Sequence, residues 1–315
     1  MMLQMQHHLY LLYEGGTLLL EKVLRNKKLI VAFILPSFIL YTTLMIYPMC
    51  KSVYFTFFEG IPNQNFNFVG IRNYQALFHD PYYLNSVVVT FKFLLIVATG
   101  SLVFGFLCAL LLKYGIRKGV NFCRTILYMP VIIPSVAVSA MFVKIYEVTP
   151  NYGLLNSLLS VVGLEEVVRS WIGDPATAFG SFCFVELWRA VGYYMVLFFA
   201  GLVSVPADTE EAARIDGANS IQMVWRVVLP QIKPVTFMCV VLAIRNFFMV
   251  YDIPSVMTKG GPGQITQVMS LYMYKIAFKS FKYGYGSTLA VTMLIFIIIL
   301  TQVVIIIEKR GEKND

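Results

Sequence analysis

Six long apolar runs constrain this chain more than any other feature of its sequence. They are residues 29–50, 93–112, 126–143, 177–206, 234–251 and 287–307. The only charged residues within them are Glu186, Arg189 and Arg245. A helix needs about 20 mostly apolar residues to cross the hydrocarbon core of a bilayer. The pattern therefore predicts an all-α polytopic membrane protein with about six transmembrane helices.

The composition agrees with this fold class. Hydrophobic residues make up 58% of the chain and charged residues only 13%, whereas soluble domains carry about 25% charged residues. The net charge of +8 is compatible with nucleic-acid binding, but no run of lysine and arginine is interleaved with aromatic residues. The excess of basic residues instead indicates cytoplasmic flanks of membrane helices.

Loop charges predict the orientation, since lysine and arginine are enriched in cytoplasmic loops. The flank before the first run and the loop after the second contain Lys22, Arg25, Lys27, Lys28, Lys113, Arg117, Lys118 and Arg124. The loop after the third run holds Glu147, Glu165, Glu166 and Asp174 and is predicted to be external. The N-terminus, the C-terminus and the loop after the fourth run then face the cytoplasm. Residues 258–286 disagree, because they carry four lysines yet are counted as external.

This topology gives three regions. Residues 1–28 are predicted to be a cytoplasmic N-terminal tail, 29–307 the transmembrane domain and 308–315 a cytoplasmic C-terminal tail. The tail lacks the basic region and cleavage site of a signal peptide. A short interfacial helix and a disordered segment remain alternatives for it.

The spans hold no recognisable set of catalytic or metal-binding residues. The five cysteines lie in or beside apolar runs and form no CxxC pair, which favours packing roles. No metal, cofactor or nucleophile–base set is predicted.

One polar segment, residues 208–234, stands out between the apolar runs. Asp208 and Glu210 precede a short helical pattern, where acidic side chains favour a helix N-terminus. Gly217 is placed to end that helix, and Pro230 and Pro234 limit the next one. An ordinary solvated loop explains the charges, but not the paired alanines, the glycine and the prolines together.

Within this segment, Glu211-Ala212-Ala213, then Gly217, then Leu229-Pro230 are similar to the EAA motif. That motif belongs to inner-membrane permease subunits of binding-protein-dependent ABC importers. Further stretches resemble the same family, namely FVGIRNY at 68–74, YGLLN at 152–156, TKGGP at 258–262 and YMYKIAF at 272–278. The last two, with Asp216-Gly217-Ala218, resemble its carbohydrate branch.

The resemblance implies the type I importer fold and a subunit without ATPase activity of its own. It implies four kinds of partner: a second permease that is normally a different chain, two ATP-binding cassette subunits, an extracytoplasmic sugar-binding protein and membrane lipid, but no nucleic acid. The EAA segment would be a coupling helix that docks on the ATPase, with Glu211 in a charged contact. The implied coupling residues are Glu211, Ala212, Ala213, Asp216, Gly217, Leu229 and Pro230.

Polar, charged and aromatic residues within the spans are candidates for the substrate path. They are Glu186, Trp188, Arg189, Tyr193 and Asn246. Charges inside a membrane usually face the bundle interior or a water-filled cavity. Glu186 and Arg189, three residues apart, can instead pair for helix packing, and Arg245 and Asp252 can simply cap or pair.

The predicted function is that of a permease subunit of an ATP-driven carbohydrate importer in a prokaryotic cytoplasmic membrane. One alternative keeps the transport class but changes the cargo to glycerol phosphate or a polyol. Another is an ion-coupled secondary transporter, which would need an inverted repeat and acids near the midplane. A membrane-embedded enzyme is a third class.

Overall fold

A computed structural model describes residues 27–62, 64–116 and 118–312. The chain divides into two compact units, and the boundary follows Phe55. Predictions for the tail before residue 27 and for residues 313–315 lie outside the described part. Within it, the last helix continues to Glu312, so residues 308–312 extend the final span as helix.

Most of the described residues are helical. The main helices are α1 Lys27–Phe55, α2 Arg72–His79, α3 Pro81–Gly115, α4 Val120–Ile132, α5 Ser135–Ile145, α6 Leu154–Val161, α7 Ala178–Val203, α8 Ala207–Ile215, α9 Lys233–Phe248, α10 Asp252–Met257, α11 Met269–Tyr274 and α12 Tyr283–Glu312. Shorter helical turns are Glu165–Val167, Ser220–Gln222, Met223–Val228, Leu229–Gln231 and Lys275–Lys279. One small hairpin pairs β1 Phe58–Glu59 antiparallel with β2 Asn67–Phe68.

The number of spans confirms the sequence prediction. Among the described residues, five segments are long and apolar enough to cross a membrane, and one bent pair of helices raises the number to six. The described part of the first unit is α1, whose 29 residues extend about 43 Å at 1.5 Å per residue. That length exceeds the hydrocarbon core of about 30 Å.

The third span is broken rather than merely kinked. Its two halves, α4 and α5, meet at an angle of 92°. The break falls at Ile133, which is extended at φ −70° and ψ 130°, because the residue before a proline is disfavoured in the helical region. Pro134 therefore interrupts the span, while Pro130 lies inside α4.

The fifth span also contains a break. Helix α9 ends at Phe248, and α10 begins only at Asp252. The predicted run 234–251 thus stops at this interruption, and α10 continues the span to Met257. Non-helical backbone at membrane depth is tolerated where it is buried in protein or lines a water-filled cavity.

The core of the second unit forms where α3 and α7 pack along their length. The rings of Phe93 and Phe182 stack with centroids 4.5 Å apart. Gly105 on α3 lies against Tyr194, where an added Cβ would come within 2.9 Å of the tyrosine Cβ. Gly192 lets α4 approach α7, since a Cβ there would lie 2.2 Å from the carbonyl oxygen of Leu127. Small residues allow such close helix contacts in membranes.

Asp80 stabilises the N-terminal end of α3. Its Oδ1 accepts from the backbone N–H groups of Tyr82 and Tyr83 and caps α3. Its Oδ2 accepts from the hydroxyls of Tyr272 at 2.5 Å and Tyr285 at 2.6 Å. Burial raises the pKa of Tyr272, and the bond to Asp80 raises it further. This cluster ties α3 to α11 and α12.

The lysines of residues 258–286 are partly used inside the fold. The Nζ of Lys275 donates to the carbonyl oxygen of Lys259 at 2.9 Å and to Oε1 of Gln267 at 2.7 Å. Burial lowers the pKa of Lys275. Lys275 therefore has partners within the fold.

Candidate functional site

A polar cavity of about 520 Å³ lies beside the two broken spans. Its walls come from α4, α5, α7, α9, α10 and the interruption between α9 and α10. The polar and charged residues that line it are Ser135, Glu186, Arg189, Tyr193, Tyr194, Arg245, Asn246, Tyr251 and Asp252. Four of the five residues predicted for a substrate path are in this lining.

The sequence left open whether Glu186 and Arg189 face a cavity or pair with each other, and in the structure they do both. Arg189 Nη2 donates to Glu186 Oε1 at 2.6 Å, and its Nε lies 3.4 Å from Oε2. The Glu186 side chain is only 3% exposed, and that of Arg189 is 27% exposed. They pair on one face of α7 and also line the cavity, so their charges are held in place and compensated.

Two further charged residues reach the same cavity from the fifth span. Arg245 lies near the end of α9, and Asp252 begins α10. Both are exposed, and from the sequence they are weaker candidates for the substrate path, with capping or pairing as the alternative. Asp252 Oδ2 accepts a hydrogen bond from Ser135 Oγ at the start of α5. The two chain interruptions therefore meet at the cavity.

The aromatic candidates separate into two groups. Tyr193 lines the cavity, and its ring stands at 88° to that of Tyr194. Tyr194 is only 1% exposed, and its hydroxyl makes no hydrogen bond of normal geometry to the described residues. Trp188 is not part of the lining, because its ring packs edge-on against Phe142 at 5.4 Å.

The EAA segment forms a surface separate from the cavity. It lies beside the C-terminal end of α3, which contains Lys113. Helix α8 follows Pro206 and has Asp208 and Glu210 in its first turn. Gly217 adopts a left-handed conformation with φ +83° just after the helix, as expected for a helix-ending glycine. Asn219 and Gln222 then form a reciprocal capping box that starts the next helical segment.

The structure places the predicted coupling residues on two sides of this segment. Five are exposed, namely Glu211, Ala212, Asp216, Gly217 and Pro230. Ala213 is 9% exposed and packs inside the chain, and Leu229 packs partly against the core. Only part of the motif is therefore exposed to a partner.

Sequence reasoning missed the role of Glu210. Its carboxylate forms an ion pair with Lys113 and accepts a hydrogen bond from the Tyr114 hydroxyl at 3.0 Å. Glu210 and Ala213 are three residues apart and share one face of α8, but this spacing does not say which face turns inward. Nothing in the sequence indicates that Lys113, 97 positions away, is the partner.

These features define a class of protein. The described residues contain five long apolar helices and a bent pair, and the second unit holds a cavity with polar and charged lining and an exposed polar helix, α8. This is the architecture of a multi-pass membrane permease. The chain belongs to the family of binding-protein-dependent transport system inner membrane components, which matches residues 101–313.

Several relatives are similar over nearly their whole length. A probable ABC transporter permease protein of Bacillus subtilis, YurN, is 32% identical over 92% of this chain and 99% of its own. The multiple sugar-binding transport system permease protein MsmF of Streptococcus mutans is 32% identical over 89% and 95%. The trehalose/maltose transport system permease protein MalF of Thermococcus litoralis is 30% identical over 92% and 96%.

Solved structures share the fold. A crystal structure of a bacterial ABC transporter involved in the import of the acidic polysaccharide alginate contains a chain that superposes with a TM-score of 0.80. It is 21% identical and covers 93% of this chain and 98% of its own. The predicted type I importer fold is thus confirmed.

Proposed function

We propose that this chain is the permease subunit of an ATP-driven carbohydrate importer, with the cavity as part of the path and the α8 segment as the contact with a separate ATPase. The observation that carries the proposal is that α7 runs from the cavity to the start of α8. This helix holds Glu186 and Arg189 at the cavity and ends at Val203, and α8 begins at Ala207 after it. A movement of α8 therefore acts on a helix that lines the cavity.

The cavity lining favours an uncharged polar cargo. Its two acids, Glu186 and Asp252, balance its two bases, Arg189 and Arg245. A phosphate ester would require an excess of positive charge, because a buried anion is costly unless it is paired. Hydroxyl, carboxylate, guanidinium and amide groups hydrogen-bond sugar hydroxyls, and aromatic faces suit sugar rings.

The names of several relatives support a carbohydrate cargo. MsmF is named for multiple sugars, and the archaeal MalF for trehalose and maltose. Glycerol phosphate or a polyol is the alternative within the same class. Uptake of a phosphate ester that exceeds uptake of a neutral sugar would support glycerol phosphate as the cargo.

The exposed residues of the EAA segment support the ATPase contact. Glu211 and Ala212 lie on the exposed side of α8, and Gly217 ends that helix. A charged group with a neighbouring small residue allows close approach of a partner that carries a basic side chain. Asp216, Pro230 and the inward-packed Ala213 and Leu229 shape this surface.

The membrane arrangement follows from the loop charges. The α8 segment and both termini face the cytoplasm, whereas the N-terminal end of α3, at Asp80, faces outward. There an extracytoplasmic sugar-binding protein delivers cargo. A second permease, normally a different chain, completes the path. Residues 29–307 form the permease domain between the two tails.

Reconstitution of the assembled complex in liposomes tests the proposal. ATP inside the vesicles should drive uptake of a neutral sugar offered with its binding protein, and uptake should exceed that of glycerol phosphate. Inactivation of the ATPase subunits should abolish it. Uptake that survives ATPase inactivation but stops with an ionophore would identify an ion-coupled transporter instead.

A further inference from the structure

Lys113 occupies a position where three helix ends meet. It lies in the π-helical turn Leu111–Gly115 that ends α3. Its Nζ donates to the carbonyl oxygen of Leu202, near the end of α7, at 2.7 Å. The same Nζ forms the ion pair with Glu210 in the first turn of α8. One ammonium group therefore connects α3, α7 and α8.

The surroundings of this group differ from those of a surface ion pair. The side chains of Lys113 and Glu210 are only 17% and 11% exposed. The Tyr114 hydroxyl donates to the same carboxylate oxygen at 3.0 Å, and Lys113 Nζ lies 4.9 Å from the Tyr114 ring centroid. Exposed pairs contribute little to stability, whereas removing one partner of a buried pair leaves an uncompensated charge.

The bond from Lys113 to the Leu202 carbonyl lies at the C-terminal end of α7. The last carbonyl groups of a helix have no partner within the helix, and the C-terminus carries a partial negative charge. The Lys113 ammonium interacts favourably with this partial charge and donates to the Leu202 carbonyl oxygen, which also accepts from the Val205 N–H at 3.3 Å. Because the ammonium also holds Glu210, the position of α8 is fixed relative to the ends of two packed spans.

We infer that Lys113 and Glu210 form a clamp that transmits movement of α8 to α3 and α7 together, and that Lys113 is a positioning residue for energy coupling. This rests on the proposed function. Glu211 faces outward toward a partner, while its neighbour Glu210 faces inward to the clamp. The two adjacent acids of this short helix thus make different contacts, one with a partner and one within the chain.

The test measures the amount of sugar moved per ATP hydrolysed by the reconstituted complex. Lys113→Met removes the charge but keeps an unbranched apolar side chain, and Lys118→Met on the exposed loop nearby is its matched control. We expect Lys113→Met to lower the ratio by about fivefold or more, since coupling free energies correspond to about 5–150-fold effects. Lys118→Met should leave it unchanged.

Exchange of the two charges, Lys113→Glu with Glu210→Lys, should recover part of the ratio that either single change loses. A Lys113→Met complex with the wild-type ratio would overturn the clamp. If that variant does not assemble, the ratio is measured on Glu210→Gln, which keeps the side-chain shape, and the same criterion applies. Failure of the wild-type complex to couple ATP hydrolysis to uptake would instead remove the proposed function.

Discussion

The Ser135 hydroxyl donates a hydrogen bond to the carboxylate of Asp252 across the two interrupted spans. Ser135 is the first residue of α5, and Asp252 is the first residue of α10. The halves of these spans beyond the breaks are therefore tied to each other at the cavity.

Loss of the Ser135–Asp252 bond should impair transport more than loss of the Asp252 charge. Ser135→Ala removes the donor, whereas Asp252→Asn keeps an acceptor at the same place. Hydrogen bonds to charged groups contribute about 1.5–3 kcal/mol. We expect uptake of a neutral sugar to fall further in Ser135→Ala than in Asp252→Asn, at equal amounts of assembled complex. The reverse order would show that charge in the cavity is what matters at Asp252.

A Cβ at Gly192 should destabilise the packing of α4 on α7. That atom would lie 2.2 Å from the backbone oxygen of Leu127, and overpacking costs about 1–3 kcal/mol. Gly180, on the same helix, has no atom within 4 Å of such a Cβ. Thermal unfolding of the purified protein should therefore show a loss for Gly192→Ala and none for Gly180→Ala. Equal behaviour of the two variants would contradict the close approach.

Trp188 and Glu186 should respond differently, because only Glu186 lines the cavity. Trp188→Ala removes a packing partner of Phe142 and should lower stability by about 3 kcal/mol or less, given its partial burial. We expect less assembled complex but near-normal uptake per complex. Glu186→Gln leaves Arg189 without its partner and should reduce uptake per complex. Quantifying complex by size-exclusion chromatography alongside uptake separates the two effects.

Gly217 should tolerate asparagine better than valine. Its φ of +83° costs about 1–2 kcal/mol for a residue with a side chain, but asparagine adopts this region more readily. No atom lies within 4 Å of a Cβ there, so the effect is one of backbone conformation. Gly217→Val should abolish sugar uptake and weaken co-purification of the ATPase, and Gly217→Asn should retain most of both. Full uptake by Gly217→Val would argue against a coupling role for this turn.

The proposed orientation predicts the accessibility of single cysteines. In a background without the five native cysteines, Ala212→Cys should resist a membrane-impermeant thiol reagent applied to intact cells. Glu166→Cys, on an exposed turn of the opposite loop, should react with it. Permeabilised cells should label at both positions. Labelling of Ala212→Cys in intact cells would invert the topology and remove the proposed contact with a cytoplasmic ATPase.

Much of the architecture can be read from the sequence because the bilayer imposes a strong local rule. Each span must satisfy its own backbone groups and present apolar side chains, so hydropathy alone predicts about six spans. The helix after Pro206 and the turn at Gly217 follow from equally local preferences. Glu186 and Arg189 pair at a spacing that the sequence already displays.

The sequence by itself determined the membrane class, the spans and the position of the EAA segment, since each depends on residues near one another in the chain. Only the tertiary structure decided that Pro134, rather than Pro130, breaks the third span, that Arg245 and Asp252 share the cavity with Glu186, and that Glu210 turns inward to Lys113. The last two outcomes depend on contacts between residues far apart in the chain. Helix packing sets such contacts, and no local pattern records them.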